Sequence, residues 1–472
     1  MDPHIVYLAC ASRGYDGIVL DAFPELLPGA VRSQALLAVR NLFLSARLDA
    51  AHMGTPEWNP LGDSVSGKRC VIKPNWVHHK NGSHNGLDCL ISHTSVIEAI
   101  IEYVALARPS SIIVGDAPIQ SCDFGALREL AGINSMLARL LSRGIQVDCR
   151  DFRLTQTDRS VWDASLSTGR SEKEYVRFNL GQNSMLEMIT DERSQFRVTM
   201  YDPRALEETH SPGNHQYLIA REIMDADVVI NLPKLKTHKK AGLTGTLKNL
   251  VGANGHKSYL PHHRKGGTAS GGDCYPKTSV LKSVAEDLFD WTNSVSPGYG
   301  KRILAKLCGS VVKVGKFATG SMDLEGSWHG NDTVWRMVLD LQHILHHGTS
   351  SGTLEAGRQR FILNITDAII GGQGDGPLSP EPIEFGFLTL GTNAAICDWM
   401  HAILMGLNPN QIPVIREAIQ FGTCGNASRD ETDFKLRFGE NLMSPLEAAK
   451  QFGKTVSLPS GWIGACEAPK VC

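Results

Sequence analysis

The chain has 472 residues, of which 42% are hydrophobic and 20% are charged, and this ordinary balance excludes a largely disordered chain. The formal net charge of -2 at pH 7 argues against a general nucleic-acid binder, because such domains usually carry a strong basic excess. We therefore expect no nucleic-acid partner, and any electropositive site has to be local.

Between positions 69 and 149, short runs of apolar residues alternate with longer segments in which apolar residues recur at helical spacing. The predicted strands are 70–73, 111–115 and 145–149, and the predicted helices are 95–105 and 124–141. Short buried strands joined by helices predict an α/β fold, with a mostly parallel sheet that helices cover on both faces. Ligands of such sheets bind beyond the carboxyl ends of the strands, where Asn75 and Asp116 follow the first two strands.

The same alternation returns after a polar stretch at 155–195. The predicted strands are 226–231, 361–365 and 385–390, and the predicted helices are 217–224, 279–291, 301–313, 333–347 and 394–404. Residues 266–272, rich in Gly and Ser, predict a flexible loop. Residues 372–376 predict a turn-rich loop, because Pro377 and Pro380 prevent the helix that a dinucleotide-binding fingerprint requires.

The length of the chain is about three times that of a common domain of roughly 150 residues, so several units are expected. We predict an N-terminal extension with a strand and a helix (1–68) and a first α/β half (69–154). A peripheral polar insertion (155–214), a second α/β half with a basic segment (215–407) and C-terminal helices with a tail (408–472) complete the organisation.

Eleven cysteines are scattered along the chain, and no two have C-x-x-C spacing. This pattern predicts reduced thiols, and no iron–sulfur cluster is expected because its ligand run is absent. The first residues lack the basic start and long apolar core of a signal peptide, and no stretch reaches the about 18 apolar residues of a membrane span. We expect a cytoplasmic protein with no membrane span.

The segment 231–265 has the most unusual composition in the chain. No carboxylate lies between Asp227 and Asp273, while the segment contains the cations Lys234, Lys236, Lys239, Lys240, Lys248, Lys257, Arg264 and Lys265. A solvated basic face is one interpretation. Binding of a small anion is the other, because the segment begins at the end of a predicted strand and residues 242–246 can offer backbone N–H groups. The spacing of a Walker loop is absent.

We predict a Lys- and His-rich pocket for a small anionic molecule. The candidate catalytic residues are His238, Lys236 and Lys248. The candidate substrate-binding residues are Lys73, Asn75, Lys234, Thr237, Thr244, Gly245, Thr246, Asn249 and His262. His238 is the predicted acid or base, because flanking lysines depress the pKa of its imidazole and keep the ring neutral.

Three aspartates at or after predicted strands are candidate ligands of a divalent metal ion: Asp116, Asp367 and Asp398. Such an ion would bridge to a phosphate held by the lysines. For Asp116 and Asp367, capping of a turn or helix is the alternative interpretation. The identity of any other cofactor stays open.

Several motifs together resemble the domain-of-unknown-function 362 family, from about residue 68 to residue 407. They are V-I-K-P-N at 71–75, V-G-D-A-P at 114–118, N-L-P-K-L-K-T-H at 231–238 and T-G-T-L-K-N at 244–249, with Asp367 and Asp398. Many relatives carry ferredoxin-like four-cysteine motifs that imply redox roles, and this chain departs from them because it has none. The loop G-S-W-H-G-N-D-T at 326–333 is similar to that of relatives from exopolysaccharide gene neighbourhoods, which implies a phosphorylated sugar or a similar metabolite.

Three classes of function stay open at this point. The sequence favours an enzyme that acts on a small phosphorylated or carboxylated metabolite, sugar-derived ones included, with or without a metal ion. The alternatives are a non-catalytic protein that senses an anion or docks an acidic partner, and an oxidoreductase with a non-covalent cofactor. Neither the reaction class nor the oligomeric state is assigned.

Overall fold

The computed structural model describes residues 1–11, 14–158, 163–193, 195–198, 201–319, 322–422 and 430–468. The strands are β1 (Ile5–Cys10), β2 (Arg69–Pro74), β3 (Ser111–Asp116), β4 (Asp148–Asp151), β5 (Thr155–Asp158), β6 (Asp163–Ser167), β7 (Tyr175–Asn179), β8 (Phe196–Arg197), β9 (His210–Ser211), β10 (Asn214–Ala220), β11 (Val228–Leu232), β12 (Lys234–His238), β13 (Gly242–Thr244), β14 (His263–Arg264), β15 (Phe361–Asp375), β16 (Ser379–Gly391), β17 (Lys435–Phe438) and β18 (Asn441–Met443).

The α-helices in these ranges alternate with the strands along much of the chain. They are α1 (Gln34–Ser45), α2 (Gly62–Val65), α3 (Thr94–Leu106), α4 (Phe124–Leu130), α5 (Ile133–Ser142), α6 (Pro203–Thr209), α7 (Arg221–Met224), α8 (Thr246–Asn249), α9 (Val280–Ser294), α10 (Tyr299–Thr319), α11 (Val334–His347), α12 (Ala394–Leu404), α13 (Pro413–Phe421) and α14 (Pro445–Phe452). Within the described ranges, none of them combines the length and the apolar character that crossing a bilayer requires.

One large sheet organises the molecule, with strand order β18-β17-β1-β16-β15-β11-β2-β3-β4. The run from β15 to β4 is parallel, whereas β16 is antiparallel to both β15 and β1. Strand β12 continues beyond β11, pairs in parallel with β15, and carries β13 at its free edge. The predicted α/β fold with a mostly parallel sheet is confirmed. The same sheet includes β1 from the predicted N-terminal extension and β17 and β18 from the predicted C-terminal part.

Apolar side chains alternate between the two faces of the parallel strands. In β11, Val229 belongs to the hydrophobic core on one face, and Val228 and Ile230 belong to the core on the other. Helices α1, α3 and α5 cover the second of these faces, and α11, α12 and α13 cover the first. Each fully buried aliphatic side chain contributes about 1.5–3 kcal/mol to the free energy of folding. Because apolar side chains project from both faces of the sheet, a layer of helices is needed on each face.

The predicted helix 217–224 is wrong over its first half. Residues up to Ala220 form β10, which pairs with β7 and β9 in a separate three-stranded sheet. Only Arg221–Met224 is helical. The run Tyr-Leu-Ile-Ala at 217–220 is buried throughout, so its apolar spacing does not distinguish a strand from a helix.

Two other elements differ from the sequence prediction for reasons of backbone geometry. The predicted helix 124–141 is split into α4 and α5 by Gly132, which has a φ of +71°. The predicted loop 372–376 is largely the end of β15, where Gly372 pairs with Pro382. A Cβ on Gly372 would lie 2.8 Å from the Cβ of Lys236, so the glycines at this point allow β12 to approach closely.

Candidate functional site

A cavity of about 530 Å³ opens beyond the carboxyl ends of β2 and β3, beside β12, β13 and α8. Five lysines line it, together with two histidines and three carboxylates, and we call it the lysine cavity. These side chains are Lys73, Lys239, Lys240, Lys248, Lys257, His238, His262, Asp116, Glu325 and Asp375. The place agrees with the rule that parallel sheets bind ligands past their strand ends.

The predicted site residues divide into two groups. Those that line the lysine cavity are Lys73, Asn75, Asp116, His238, Thr244, Lys248, Asn249 and His262. Those that do not line it are Lys234, Lys236, Thr237, Gly245, Thr246, Asp367 and Asp398. Sequence reasoning missed Lys239, Lys240, Lys257, Glu325 and Asp375 as lining residues. The three lysines were visible in the basic segment, whereas no sequence signal connected the two carboxylates with it.

Lys73 and Asp116 form an ion pair at the floor of the cavity, at the ends of β2 and β3. The Lys73 Nζ lies 2.6 Å from Asp116 Oδ1, and Asp116 also accepts hydrogen bonds from the backbone N–H of Trp76 and of Ala117. Burial lowers the pKa of the Lys73 ammonium, and the Asp116 carboxylate opposes that shift. The charge of Lys73 is therefore compensated inside the protein.

A chain of amides ties this ion pair to the neighbouring strands. Lys73 Nζ donates to Asn249 Oδ1 at 3.2 Å, Asn249 Nδ2 donates to Asn231 Oδ1 at 2.8 Å, and Asn231 Nδ2 donates to Asn364 Oδ1 at 2.8 Å. Asn249 Nδ2 also donates to the Lys73 carbonyl. Although Asn249 lines the cavity, both polar atoms of its side chain bind inside the protein. Its predicted role of orienting a ligand is thus replaced by one of holding α8 against β2 and β11.

Lys234 and Asp367 form a second buried ion pair, away from the cavity. Lys234 Nζ lies 2.6 Å from Asp367 Oδ2 and 2.7 Å from the Tyr15 hydroxyl oxygen, and neither charged side chain is exposed. Asp367 also accepts hydrogen bonds from the Tyr15 hydroxyl and from the backbone N–H of His93. The structure therefore places these two predicted site residues in an internal contact that joins β12 and β15 to the N-terminal part of the chain.

Asp398 caps the segment that carries Lys248. Its carboxylate accepts hydrogen bonds from the backbone N–H and hydroxyl of Thr246 and from the backbone N–H of Leu247, at 2.7–2.9 Å. Gly245 is required beside it, because a Cβ there would overlap the Asp398 carboxylate. In the ranges that the structure describes, no group of three or more His, Cys, Asp or Glu side chains is arranged to hold a metal ion. Asp116, Asp367 and Asp398 thus do not form the predicted cluster.

Lys236 and Thr237 also turn away from the cavity. The Lys236 ammonium donates to the Leu90 carbonyl, and Thr237 Oγ1 donates to the Gly374 carbonyl at 2.8 Å. Burial lowers the pKa of the Lys236 ammonium to about 7, and the positive charge of Lys234 adds to this shift. The predicted catalytic role of Lys236 therefore has no geometric support, because its amine lies inside the protein.

Two lysines of the cavity form no ion pair with the residues that the structure describes. Lys239 Nζ lies 3.8 Å from Asp375 Oδ2, and Lys240 Nζ lies 3.6 Å from Glu325 Oε2. Lys248 and Lys257, in contrast, have no such carboxylate contact in the described part of the chain. Burial and the charge of Lys257 lower the pKa of the Lys248 ammonium to about 7. Burial and the charge of Lys73 lower the pKa of the Lys257 ammonium to about 8, although the Asp116 carboxylate acts to raise it. The cavity therefore carries an excess of positive charge.

Two neutral polar atoms in the cavity wall also lack partners. Asn75 Oδ1 and Thr244 Oγ1 are buried and form no hydrogen bond with the residues that the structure describes. A buried polar atom without a partner costs about 1–3 kcal/mol. Both residues are among the predicted substrate-binding residues, and both atoms can hydrogen bond to a ligand.

The two histidines of the cavity hold complementary tautomers. His238 Nδ1 accepts hydrogen bonds from the backbone N–H of Lys240 and of Ala241, so the ring proton is on Nε2. His262 Nδ1 donates to the Leu260 carbonyl at 2.6 Å, which leaves Nε2 as an acceptor. Burial holds the pKa of both imidazoles well below the ordinary value, with Lys248 acting most strongly on His238 and Lys240 on His262. His238 is therefore a hydrogen-bond donor, and His262 is the ring that can accept a proton.

Comparison with known proteins identifies relatives of this chain. Residues 181–402 match the family model described as domain of unknown function 362, which contains the motifs at 231–249 together with Asp367 and Asp398. A thylakoid-associated protein of Synechocystis sp. is 38% identical over 229 residues, which are 48% of this chain and 52% of the relative. The chain therefore spans about half the length of that curated relative.

A solved structure from Thermotoga maritima resembles the chain only weakly. The match covers 72% of this chain and 54% of the Thermotoga maritima chain, with a TM-score of 0.30 and 8% sequence identity. A likeness at this level carries no argument about fold or function. The predicted family resemblance is confirmed by the family model and not by this structure.

The Lys234–Asp367 pair is testable as a structural contact. We expect Lys234→Met to lower the free energy of unfolding by about 3–5 kcal/mol, because it leaves a buried carboxylate uncompensated. The double variant Lys234→Met/Asp367→Asn should recover much of that loss. Arg177→Met, which breaks an exposed ion pair with Glu172, should cost less than about 1 kcal/mol. Urea denaturation measures all three, and equal stability of the single and double variants would contradict the assignment.

Proposed function

The chain belongs to the domain-of-unknown-function 362 family, and from this starting point we propose that its lysine cavity is the active site of an enzyme for a small anionic metabolite. The observation that carries the proposal is that Lys248 and Lys257 line a cavity of about 530 Å³ and form no ion pair with the described part of the chain. A phosphate or carboxylate group would supply the missing negative charge. The volume suits a metabolite of the size of a phosphorylated sugar.

The unpaired groups of the wall give the bound molecule an orientation. Lys248 and Lys257 attract the anionic group, while Asn75 Oδ1 accepts a hydrogen bond from a hydroxyl of the ligand. Thr244 Oγ1 either donates or accepts. A sugar-derived anion offers both kinds of partner through its hydroxyl groups.

The histidine tautomers suit proton transfer. His262 Nε2 is positioned as a general base, and His238 Nε2–H donates to an oxygen on which negative charge develops. A bound anion offsets the neighbouring lysine charges and so raises the pKa of both imidazoles toward neutral pH. This proposal moves the role of base from His238, where the sequence placed it, to His262.

The location predicted from the sequence, the cytoplasm, belongs to the same proposal. Nine cysteines are free thiols in the described ranges, which agrees with a reducing compartment, and Cys424 and Cys472 lie outside those ranges. The Synechocystis relative is described as a thylakoid-associated protein. For this chain, fractionation of cells into soluble and membrane pools measures the location.

Binding of inorganic phosphate tests the anion site. We expect Lys248→Ala and Lys257→Ala each to weaken binding at least tenfold, because each removes one of the two uncompensated charges. Lys265→Ala is the matched control from the same basic segment: its ammonium is paired with Asp287 and Asp290, and it does not line the cavity. Isothermal titration calorimetry measures the affinities. Equal weakening by all three substitutions would indicate a basic docking face, and absence of phosphate binding would contradict the proposal.

Turnover of phosphorylated and carboxylated sugars tests the catalytic part. We expect His262→Gln to lower turnover by about 10²–10⁴-fold, the usual contribution of a general base, while phosphate affinity changes less than threefold. His329→Gln, an exposed histidine outside the cavity, is the control. Mass spectrometry of the reaction mixtures detects the products. Binding without turnover by the unmodified protein would indicate a sensing role, and full activity of His262→Gln would remove the assignment of the base.

A further inference from the structure

Helices α9 and α10 form a hairpin that is attached to the rest of the protein through α9. The attachment includes ion pairs of Arg197 with Asp290 at 2.9 Å and of Lys265 with Asp287 at 2.6 Å, and a hydrogen bond from Tyr275 to Glu286. These contacts fix the acidic side of α9 on the protein. Helix α10 in turn packs against α9, so its other side faces solvent.

An apolar stripe runs along the solvent-facing side of α10. Ile303 is 44% exposed, Leu307 52%, Val314 69% and Phe317 95%. Their spacing of four, seven and three residues places the four side chains in one line on an α-helix. By contrast, Cys308 on the opposite side is buried and contacts Thr292 of α9. The stripe is therefore a second apolar face of α10, in addition to the one that packs on α9.

The charges of α10 all have the same sign. The helix contains five basic residues and no Asp or Glu, although the whole chain has a net charge of -2. Four of the five are exposed and lie along one side of the stripe: Arg302, Lys306, Lys313 and Lys316. An apolar stripe bordered by basic side chains is the pattern of helices that lie in the interface of a membrane.

We propose that the exposed stripe of α10 docks the protein on an anionic lipid bilayer, with the helix lying in the plane of the interface. Phe317, Val314, Leu307 and Ile303 enter the boundary between headgroups and acyl chains, and the long basic side chains reach the lipid phosphates. A second copy of the same chain is a poorer occupant, because a symmetric contact would bring eight basic side chains together without a carboxylate of α10. Helix α10 contacts the membrane from one side and does not span it.

Flotation with lipid vesicles tests the proposal on the full chain. We expect binding to vesicles that contain phosphatidylglycerol, much weaker binding to pure phosphatidylcholine, and a loss of at least tenfold when the ionic strength rises from about 0.05 to about 0.5 M, because salt screens the attraction. Val314→Ser/Phe317→Ser should weaken binding to the anionic vesicles at least tenfold. Leu20→Ser, which changes a residue that is 92% exposed elsewhere, should leave binding unchanged.

A charge-reversal set separates lipid binding from other occupants. We expect Lys306→Glu/Lys313→Glu/Lys316→Glu to abolish vesicle binding, while Lys80→Glu/Lys173→Glu/Lys450→Glu, an equal change of net charge on other exposed positions, has little effect. Absence of binding to anionic vesicles, or equal losses in both triple variants, would overturn the proposal. So would sedimentation that shows a dimer dispersed by Val314→Ser/Phe317→Ser in a protein that does not bind vesicles.

Discussion

A lysine ammonium inside a protein requires a polar partner that compensates its charge, and this requirement organises the region around β2, β12 and α8. The chain supplies the partner for Lys73 through Asp116 and for Lys234 through Asp367. These two ion pairs join β2 to β3 and β12 to β15, and the chain of asparagines extends the first pair across β11. Lys248 and Lys257 are held in the adjacent cavity without such a partner. The same constraint therefore explains both the packing of the strand ends and the affinity for an anion that we propose.

The fold was largely predictable because its main signal is local. Short apolar strands followed by helical spacing indicate a parallel sheet covered on both faces, and the strands β2, β3, β11 and β15 begin close to their predicted positions. Prediction failed where spacing is ambiguous or where partners are distant in sequence. Residues 214–220 form a strand because β7 is available to pair with them, and residues 371–375 extend β15 because β16 continues alongside.

The site was only partly predictable, since the sequence shows which charges are close along the chain but not which are paired in space. The absence of carboxylates from 231–265 drew attention to Lys248, His238 and His262, which line the lysine cavity. It also selected Lys234 and Lys236, whose partners Asp367 and the Leu90 carbonyl are more than 130 residues away. Likewise, the tautomers that distinguish His238 from His262 depend on backbone groups and become visible only in three dimensions.

The most direct test of this account is an NMR titration of the lysine ammonium groups with and without inorganic phosphate. For the free protein the account predicts a pKa of about 7 for Lys248 and about 8 for Lys257. Bound phosphate should raise both values, because a nearby anion stabilises the protonated amine. Values near the ordinary lysine pKa of about 10.4 in both conditions would contradict the account, since the two charges would then be solvated or already compensated.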